Sequence, residues 1–481
     1  FKAVLFPMLI VLISVVWSMG TLVILGYEIT ILTGIIPPLL IIIGVENCIF
    51  LLNKYHHEFR EHGNKVKALS RVVVRTGNAT FLTNLTTATG FAAFIITGNK
   101  LLVEFGVVAA INIMVVFVLS IFLIPILYSY LAPPQLRHIK HLDNKYTTTL
   151  IEKVVFLVQN HRRAIYYTAI AGVILAVFGV SRLKTTGNVV DDIPHGHPMY
   201  VDLLFFEKEF KGILPFEITI DTRKPRGVMQ MSTIQKISEL QDSLAKYPEF
   251  AKPLSVAELV KYSKQAFYNG DPEMYSIPNS QERNFIMQYM PSMKAGKRTI
   301  LNSFVDTTLS KTRISVQMAN IGTRDIQRIK DDLQPSIDSI FDPDKYTVEL
   351  TGTSIVFLKG TDYLVNNLLT SLILAVVAIG ILLGLLFTSF KMVAVSMVPN
   401  LLPQLMTAAL MGFLAISIKP STILIFSIAL GISVDNAIHF LSRYRLALKH
   451  NNWDIRTSVF SALRETGFSM IYSSIVLFLG F

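Results

Sequence analysis

The amino-acid sequence predicts a polytopic α-helical membrane protein that carries an extracytoplasmic α+β domain. The chain of 481 residues is 52% hydrophobic and only 16% charged, whereas soluble proteins carry about 25% charged residues. Apolar stretches of about 20 residues, long enough to cross a bilayer, recur towards both ends of the chain. The segment 183–360 has a different character, with 22 basic and 22 acidic residues, and is typical of a soluble domain.

Each apolar stretch is a candidate membrane helix. The predicted spans lie near 3–25, 30–52, 78–97, 102–131, 163–181, 362–387, 392–416 and 420–442, with another that starts near 467. The predicted order is membrane helices of a first repeat (1–131), a cytoplasmic linker (132–161), a membrane helix (162–182), the extracytoplasmic domain (183–360) and membrane helices of a second repeat (361–481).

The net charge of +11 belongs entirely to the membrane part, because the soluble segment is neutral. It concentrates in residues 53–75, in the linker from Arg137 to Arg163, and in residues 443–464. Short Lys/Arg-rich connections stay in the cytoplasm, so these segments are predicted to face inward and the domain 183–360 outward. The first and third segments also look amphipathic and are predicted to lie along the inner membrane surface. A nucleic-acid-binding surface is not needed to explain the basic pI, and no nucleic-acid partner is predicted.

The soluble segment alternates strands and helices. Strands are predicted in PFEITIDT (215–222), TRISVQMANIG (312–322) and YTVELTGT (346–353), with helices at 231–247 and 323–341. Two β-α-β units of this kind predict a split βαβ, ferredoxin-like arrangement, and residues 255–290 read as helix with a polar Gly/Pro break. The HGHP motif with His195 and His197 is better read as a turn than as a metal site. No phosphate loop, HExxH or GxSxG occurs, so neither an enzyme nor a cofactor nor a metal is predicted.

Two acids, Glu46 and Asp435, lie inside stretches predicted to be in the membrane. A carboxylate there costs about 2.5–3.5 kcal/mol, so it is expected to face the bundle interior and to act there. The acids, the adjacent Asn47 and Asn436, and His439 are the candidate proton relay, because His439 lies four residues past Asp435 on the same helix face. The alternative is a structural hydrogen-bonded pair.

The helix NATFLTNLTTATGF (78–91) is unusually polar for a membrane span. Thr83, Asn84 and Thr87 on this helix, with Ser473 and Ser474 in the second half, are candidate relay partners of the acids. The alternative is that these side chains join helices or bond to their own carbonyls. The single Cys48 excludes an internal disulfide and a cysteine zinc cluster, and Glu104, near a helix start, is predicted to be a surface or capping residue.

An internal duplication relates the two membrane parts. FKAVLFPM at residue 1 matches FKMVAVSM at residue 390, and at the same offset of 389 Glu46 falls on Asp435 and Phe50 falls on His439. By symmetry we expect a block of about 200 residues before Phe1 and a further membrane helix after Phe481. The sequence is therefore predicted to be a fragment that lacks both ends.

SFKMVAVSMVPNLLPQL, KPSTILIFSIALGISVDNAIHFLSRYR and DDIPHGHPMYVDLLFFEKEF resemble the resistance–nodulation–division (RND) superfamily, in particular its MMPL-type exporters, which are related to Patched and sterol-sensing-domain proteins. The resemblance implies twelve membrane helices in the full protein, two periplasmic porter-like domains and proton-driven export. Glu46 and Asp435 then occupy the proton-relay positions of the fourth and tenth helices. The chain departs from the family in having Glu46 rather than Asp, and Asn47 and Asn436 where an aromatic residue is common.

The predicted function is export of lipidic, hydrophobic or amphipathic molecules across the inner (plasma) membrane by proton antiport. The alternatives are a sterol-sensing, Patched-like lipid-binding protein without active transport and, ranked last, an accessory of protein translocation. The predicted partners are a hydrophobic or lipid substrate, protons and membrane lipids. The sequence leaves the oligomeric state open, with a homodimer or homotrimer both compatible.

Overall fold

The computed structural model describes residues 2–134, 145–183, 187, 193, 196–279, 281–282, 285 and 300–480. Residues 135–144 of the predicted linker, His195, and part of the predicted helical region 255–290 lie outside the described residues. The chain divides into a membrane unit, Phe1–Lys184 with Leu364–Phe481, and a second unit, Thr185–Tyr363.

The described regular elements of the membrane unit are helical. Eight helices of the described chain are long and apolar enough to cross a membrane, and the ninth predicted span, from near 467, belongs to a helix that is not among the eight. The helices are α1 (Lys2–Ile24), α2 (Ile36–His62), α3 (Lys65–Arg71), α4 (Gly77–Ala92), α5 (Lys100–Ser129), α6 (Lys145–Asn160) and α7 (Arg162–Val180).

The second unit and the return to the membrane unit follow in chain order. The elements are α8 (Pro198–Phe210), β1 (Leu214–Asp221), α9 (Met231–Leu244), α10 (Val256–Phe267), β2 (Lys311–Met318), α11 (Thr323–Ile340), β3 (Thr347–Thr351), α12 (Thr353–Phe387), α13 (Phe390–Phe413), α14 (Pro420–His450) and α15 (Ile455–Gly480).

Two helices run well past their predicted membrane ends. The span predicted to end at 52 is α2, which continues to His62 and stops at Gly63, whose φ of 63° is the left-handed conformation that favours glycine. The span predicted to end at 442 is α14, which continues to His450. Residues 53–62 and 443–450, the first parts of the two predicted amphipathic segments, are therefore extensions of membrane helices. Nothing before Gly63 breaks the helix, and basic residues in a last turn suit its dipole.

Small residues set how closely the membrane helices pack. A Cβ added to Gly90 of α4 would lie 3.5 Å from the Cα of Gly431 on α14, and a Cβ on Gly412 of α13 would overlap the carbonyl of Gly179 on α7. Glycines at such crossings let helix backbones approach closely in a bilayer.

The predicted linker contains a helix that packs on the second half. Ile151 and Val155 of α6 are buried against Phe468 of α15, and Glu152 pairs with Arg464 through two bonds of 2.7 and 2.9 Å. Residues 145–160 are thus anchored on α15.

Glu104 corrects another prediction, because it is buried rather than on the surface. Asn99 caps α5 by accepting from the backbone N–H groups of Leu101 and Leu102, which places Glu104 beyond the first turn. Its carboxylate lies 3.7 Å from the exposed Lys100 ammonium.

The second unit is built on a small antiparallel sheet with strand order β2-β1-β3. Alternate residues of β1 point into the core, so Ile218 lies between Ile314 of β2 and Leu350 of β3. Because β2, α11 and β3 enclose β1, they form one split βαβ unit. In the other predicted unit, the strand after α9 is reduced to two isolated bridges from Phe250 and Leu254 to β2. These bridges sit at the edge where a ferredoxin-like sheet has its fourth strand.

Candidate functional site

Both predicted acids lie inside the bundle of the membrane unit. Asp435 on α14 is buried, with 8% of its surface exposed, and its Oδ1 accepts a hydrogen bond of 3.0 Å from the Thr87 hydroxyl on α4. Glu46 on α2 is half-buried, and the Ser473 hydroxyl on α15 donates a hydrogen bond to its Oε1. Both acids therefore have a hydroxyl partner inside the bundle.

The partners of the acids are exchanged between the two halves of the chain. Thr87 precedes the soluble segment and binds the acid that follows it, whereas Ser473 follows the soluble segment and binds the acid that precedes it. A movement of α4 against α14, or of α15 against α2, would therefore change the environment of an acid.

Thr87 has more acceptors than it can satisfy at once. Its hydroxyl oxygen lies 3.0 Å from Asp435 Oδ1, 3.1 Å from the Gly431 carbonyl and 3.0 Å from the Thr83 carbonyl. A hydroxyl donates one proton and can also accept. It can donate to Asp435 when the acid is ionised, or accept from the protonated acid while donating to a backbone carbonyl. Asp435 can thus gain or lose a proton without leaving Thr87 unpaired.

The predicted asparagines and Thr83 have structural contacts. Asn47 on α2 and Asn84 on α4 exchange two amide hydrogen bonds of 2.9 and 3.1 Å, which join these helices. The Thr83 hydroxyl donates to the Thr80 carbonyl of its own helix at 2.9 Å. Asn436 is half-buried and is not hydrogen-bonded to either acid.

Ser474 does not reach the acids. It is exposed, because one residue past Ser473 turns the side chain about 100° around the helix. Of the two serines predicted to be relay partners, Ser473 contacts an acid and Ser474 does not.

His439 lies one turn beyond Asp435 and stacks on Phe50 of α2. The ring centroids are 3.6 Å apart and the planes are inclined by 26°. Its Nδ1 is buried and has no hydrogen-bond partner within the described part of the chain.

Family comparisons match both parts of the chain. Residues 1–129 match the Patched family, described as Patched SSD, and residues 299–481 match the MMPL family. The chain is 32% identical over 121 residues to "Putative membrane protein MJ1562" of Methanocaldococcus jannaschii, a match that covers 25% of this chain and 31% of that protein. These matches support an MMPL/RND-type sterol-sensing-domain protein. The resemblance stated from the sequence is confirmed, and the MMPL/RND-type chain is a multi-pass membrane protein.

The MMPL/RND-type chain also has a charged cluster that sequence reasoning missed. Glu465 of α15 binds the Lys54 ammonium of α2 at 2.6 Å and also pairs with Arg443 of α14. The available signal was the repeat, because Lys54 and Arg443 are also 389 residues apart. It was overlooked because these residues were predicted to belong to amphipathic segments along the inner membrane surface.

Proposed function

We propose that this protein uses the proton-motive force to export lipidic or other hydrophobic or amphipathic molecules across the inner (plasma) membrane. The observation that carries the proposal is the acid pair Glu46 and Asp435, each held by a hydroxyl from the other half of the bundle. Acids in this position can exchange protons as the halves move. Each proton that crosses supplies about 2.3 kcal/mol per 100 mV of membrane potential.

A lipidic cargo is supported by an apolar groove in the membrane unit. The groove lies between α1, α4 and α5, measures about 650 Å³ and is lined by Trp17, Ala88, Ile111, Met114 and Val118 among others. Trp17 and Ile111 are themselves largely exposed on this surface. Such a surface suits acyl or ring systems better than polar solutes. In the proposal, the second unit faces the extracytoplasmic side and receives the cargo.

Proton flux in proteoliposomes tests the coupling. With a pH-sensitive dye inside and an imposed pH gradient, Asp435→Asn and Glu46→Gln are each expected to lower the initial flux at least about tenfold, since loss of a proton-transfer group typically costs 10²–10⁴-fold. Ser474→Ala is the matched control and should conduct like the parent. Parental flux in both acid variants would exclude proton-driven transport.

The second candidate is a sterol-sensing-type protein that binds a lipid without pumping it. The apolar groove and the Patched SSD match support lipid binding equally well. The two candidates differ in energy dependence. Export of a co-purifying lipid should stop when the pH gradient and potential are collapsed, and lipid movement indifferent to that collapse would favour the binding protein.

A further inference from the structure

Two columns of side chains run from the acids toward the charged ends of α2 and α14. Residues four apart lie on one face of a helix, about 6 Å further along its axis, and each column follows this spacing over two steps. The columns are Glu46, Phe50 and Lys54 on α2, and Asp435, His439 and Arg443 on α14.

Each residue of one column has a counterpart at the same step of the other column, and each such pair is called a layer. The first layer holds the two carboxyl groups, those of Glu46 and Asp435. In the second, the rings of Phe50 and His439 stack at 3.6 Å. In the third, both cations pair with the same carboxylate, Glu465. The acid and cation layers match between the halves in chemical type, and the ring layer alone places a titratable group opposite an inert one.

A polar cavity of about 190 Å³ lies on the far side of the ring layer from the acids. His439 and Phe50 line it together with Asn53, His57, Lys54, Ser442, Arg443, Glu465 and Ser469. Four buried nitrogens of this lining have no hydrogen-bond partner within the described part of the chain, namely His439 Nδ1, Asn53 Nδ2, Arg443 Nε and His57 Nδ1.

Unpaired buried polar atoms cost about 1–3 kcal/mol each, and a roomy polar cavity satisfies them with water. The cavity has room for water. Such water would reach the imidazole of His439 on one side, while Asp435 lies one helical turn away on the other.

We propose that His439 passes protons between the acid pair and this cavity, and that Phe50 closes the equivalent route in the first half. The proposal rests on the proposed proton coupling. Protonated Asp435 gives its proton through a bridging water to one ring nitrogen of His439, and the proton on the other ring nitrogen leaves to cavity water. The ring regains its first tautomer by proton exchange with water, in which one ring nitrogen releases a proton and the other takes one up. Only O–H and N–H bonds form and break, and no charge remains on the imidazole after the transfer.

The groups around His439 favour transfer over storage of the proton. It lies one turn from Asp435 on α14, and the cavity that it lines has four cations and two carboxylates, namely Lys54, Arg60, Arg443, Arg464, Glu58 and Glu465. This excess of cations opposes a lasting imidazolium, so a proton that arrives from the acid layer is passed on to water. Since the basic ends are predicted to face the cytoplasm, this route delivers protons inward.

Substituting the ring layer tests the proposal in the full chain, reconstituted in dye-filled liposomes. His439→Phe keeps an aromatic stack but removes both nitrogens, and it is expected to lower proton flux at least about tenfold. His450→Phe, at the exposed end of the same helix, is the matched control and should conduct like the parent. Parental flux in His439→Phe, with flux lost in Asp435→Asn, would overturn the His439 route and leave the proposed function intact. Parental flux in both acid variants would overturn the proposed function itself.

Chemical rescue separates proton transfer from packing. His439→Ala opens a space beside the cavity, and added imidazole is expected to restore at least a third of parental flux there while leaving Asp435→Asn inactive. A His439→Ala protein that folds but gains no flux from imidazole would show that the ring serves only to pack, and would overturn the proposal.

Discussion

At the scale of single residues, a buried carboxylate in this bundle depends on one hydroxyl. Thr87 is fully buried, and its oxygen is the side-chain donor to Asp435. Removing that hydroxyl takes away a hydrogen bond to the buried acid. A hydrogen bond to a charged group contributes about 1.5–3 kcal/mol.

We therefore expect Thr87→Val to lower proton flux about 10- to 100-fold, whereas Thr87→Ser should retain most of it. Thr89→Val is the control on the same helix, because the Thr89 hydroxyl donates to its own backbone at Leu85. The measurement is the initial rate of dye quenching. Equal rates for Thr87→Val and Thr89→Val would contradict a role of Thr87 in proton exchange.

The residue types at the site could be predicted better than their contacts. Glu46 and Asp435 stood out because an acid in an apolar run is costly, and the polar run of α4 indicated a partner helix. Which polar side chains meet the acids depends on how α4 and α15 are rotated about their axes. Sequence spacing does not fix that rotation, which is why Thr83 and Ser474 were selected beside Thr87 and Ser473.

At the scale of elements, close crossings make some glycines irreplaceable. At the crossing of α7 and α13, any side chain on Gly412 would overlap the Gly179 backbone. Backbone atoms cannot move aside as a flexible side chain can, so a larger residue must push the helices apart.

Gly412→Val is therefore expected to destabilise the membrane unit by about 1–3 kcal/mol, the usual cost of overpacking. The control is Gly20→Val on α1, where an added Cβ meets nothing within 4 Å. Thermal unfolding in detergent measures the difference. If Gly412→Val and Gly20→Val had equal melting temperatures, α7 and α13 would not be in close backbone contact at Gly412.

Helices were predicted well from apolar length, and their ends less well. Hydropathy ends where charges begin, but α2 and α14 continue as helices through charged residues until Gly63 and Asn451. The strands of the second unit were located from their alternation, since β3 falls inside its predicted segment and β1 and β2 each begin one residue before theirs. The fourth strand of a ferredoxin-like sheet is reduced here to the two bridges from Phe250 and Leu254. Whether such a segment pairs as a full strand depends on backbone hydrogen bonding, which the residue pattern alone does not determine.

At the scale of the whole molecule, the second unit has a core of its own. Phe216, Ile218, Ile237 and Ile314 belong to one buried cluster confined to this unit. We expect residues 185–363 to fold when produced alone, and the ionisation of Glu258 to contribute to their stability.

Burial raises the pKa of the Glu258 carboxyl, but hydrogen bonds from Tyr275 and Lys252 outweigh burial and hold the pKa below its usual value. A depressed pKa stabilises the fold above the unfolded-state pKa of about 4.3, and this stabilisation is lost as pH falls through the folded-state pKa.

Glu258→Gln should accordingly lower the free energy of unfolding at pH 7 by about 1–3 kcal/mol and reduce its fall between about pH 4 and pH 2. Urea titrations of the isolated unit across this range provide the measurement. The exposed Glu239→Gln serves as the control. A Glu258→Gln unit with parental stability and an unchanged acid slope would show that the hydrogen bonds contribute nothing.

The crosswise contacts of the acids have a consequence for the origin of the chain. If both halves descend from one ancestral segment, a lone copy would have held an acid without the hydroxyl that now faces it. Such an ancestor would have completed its site only as a homodimer. Fusion of the two copies into one gene would then have allowed each to diverge separately, and the facing pair Phe50 and His439 would be a trace of that divergence.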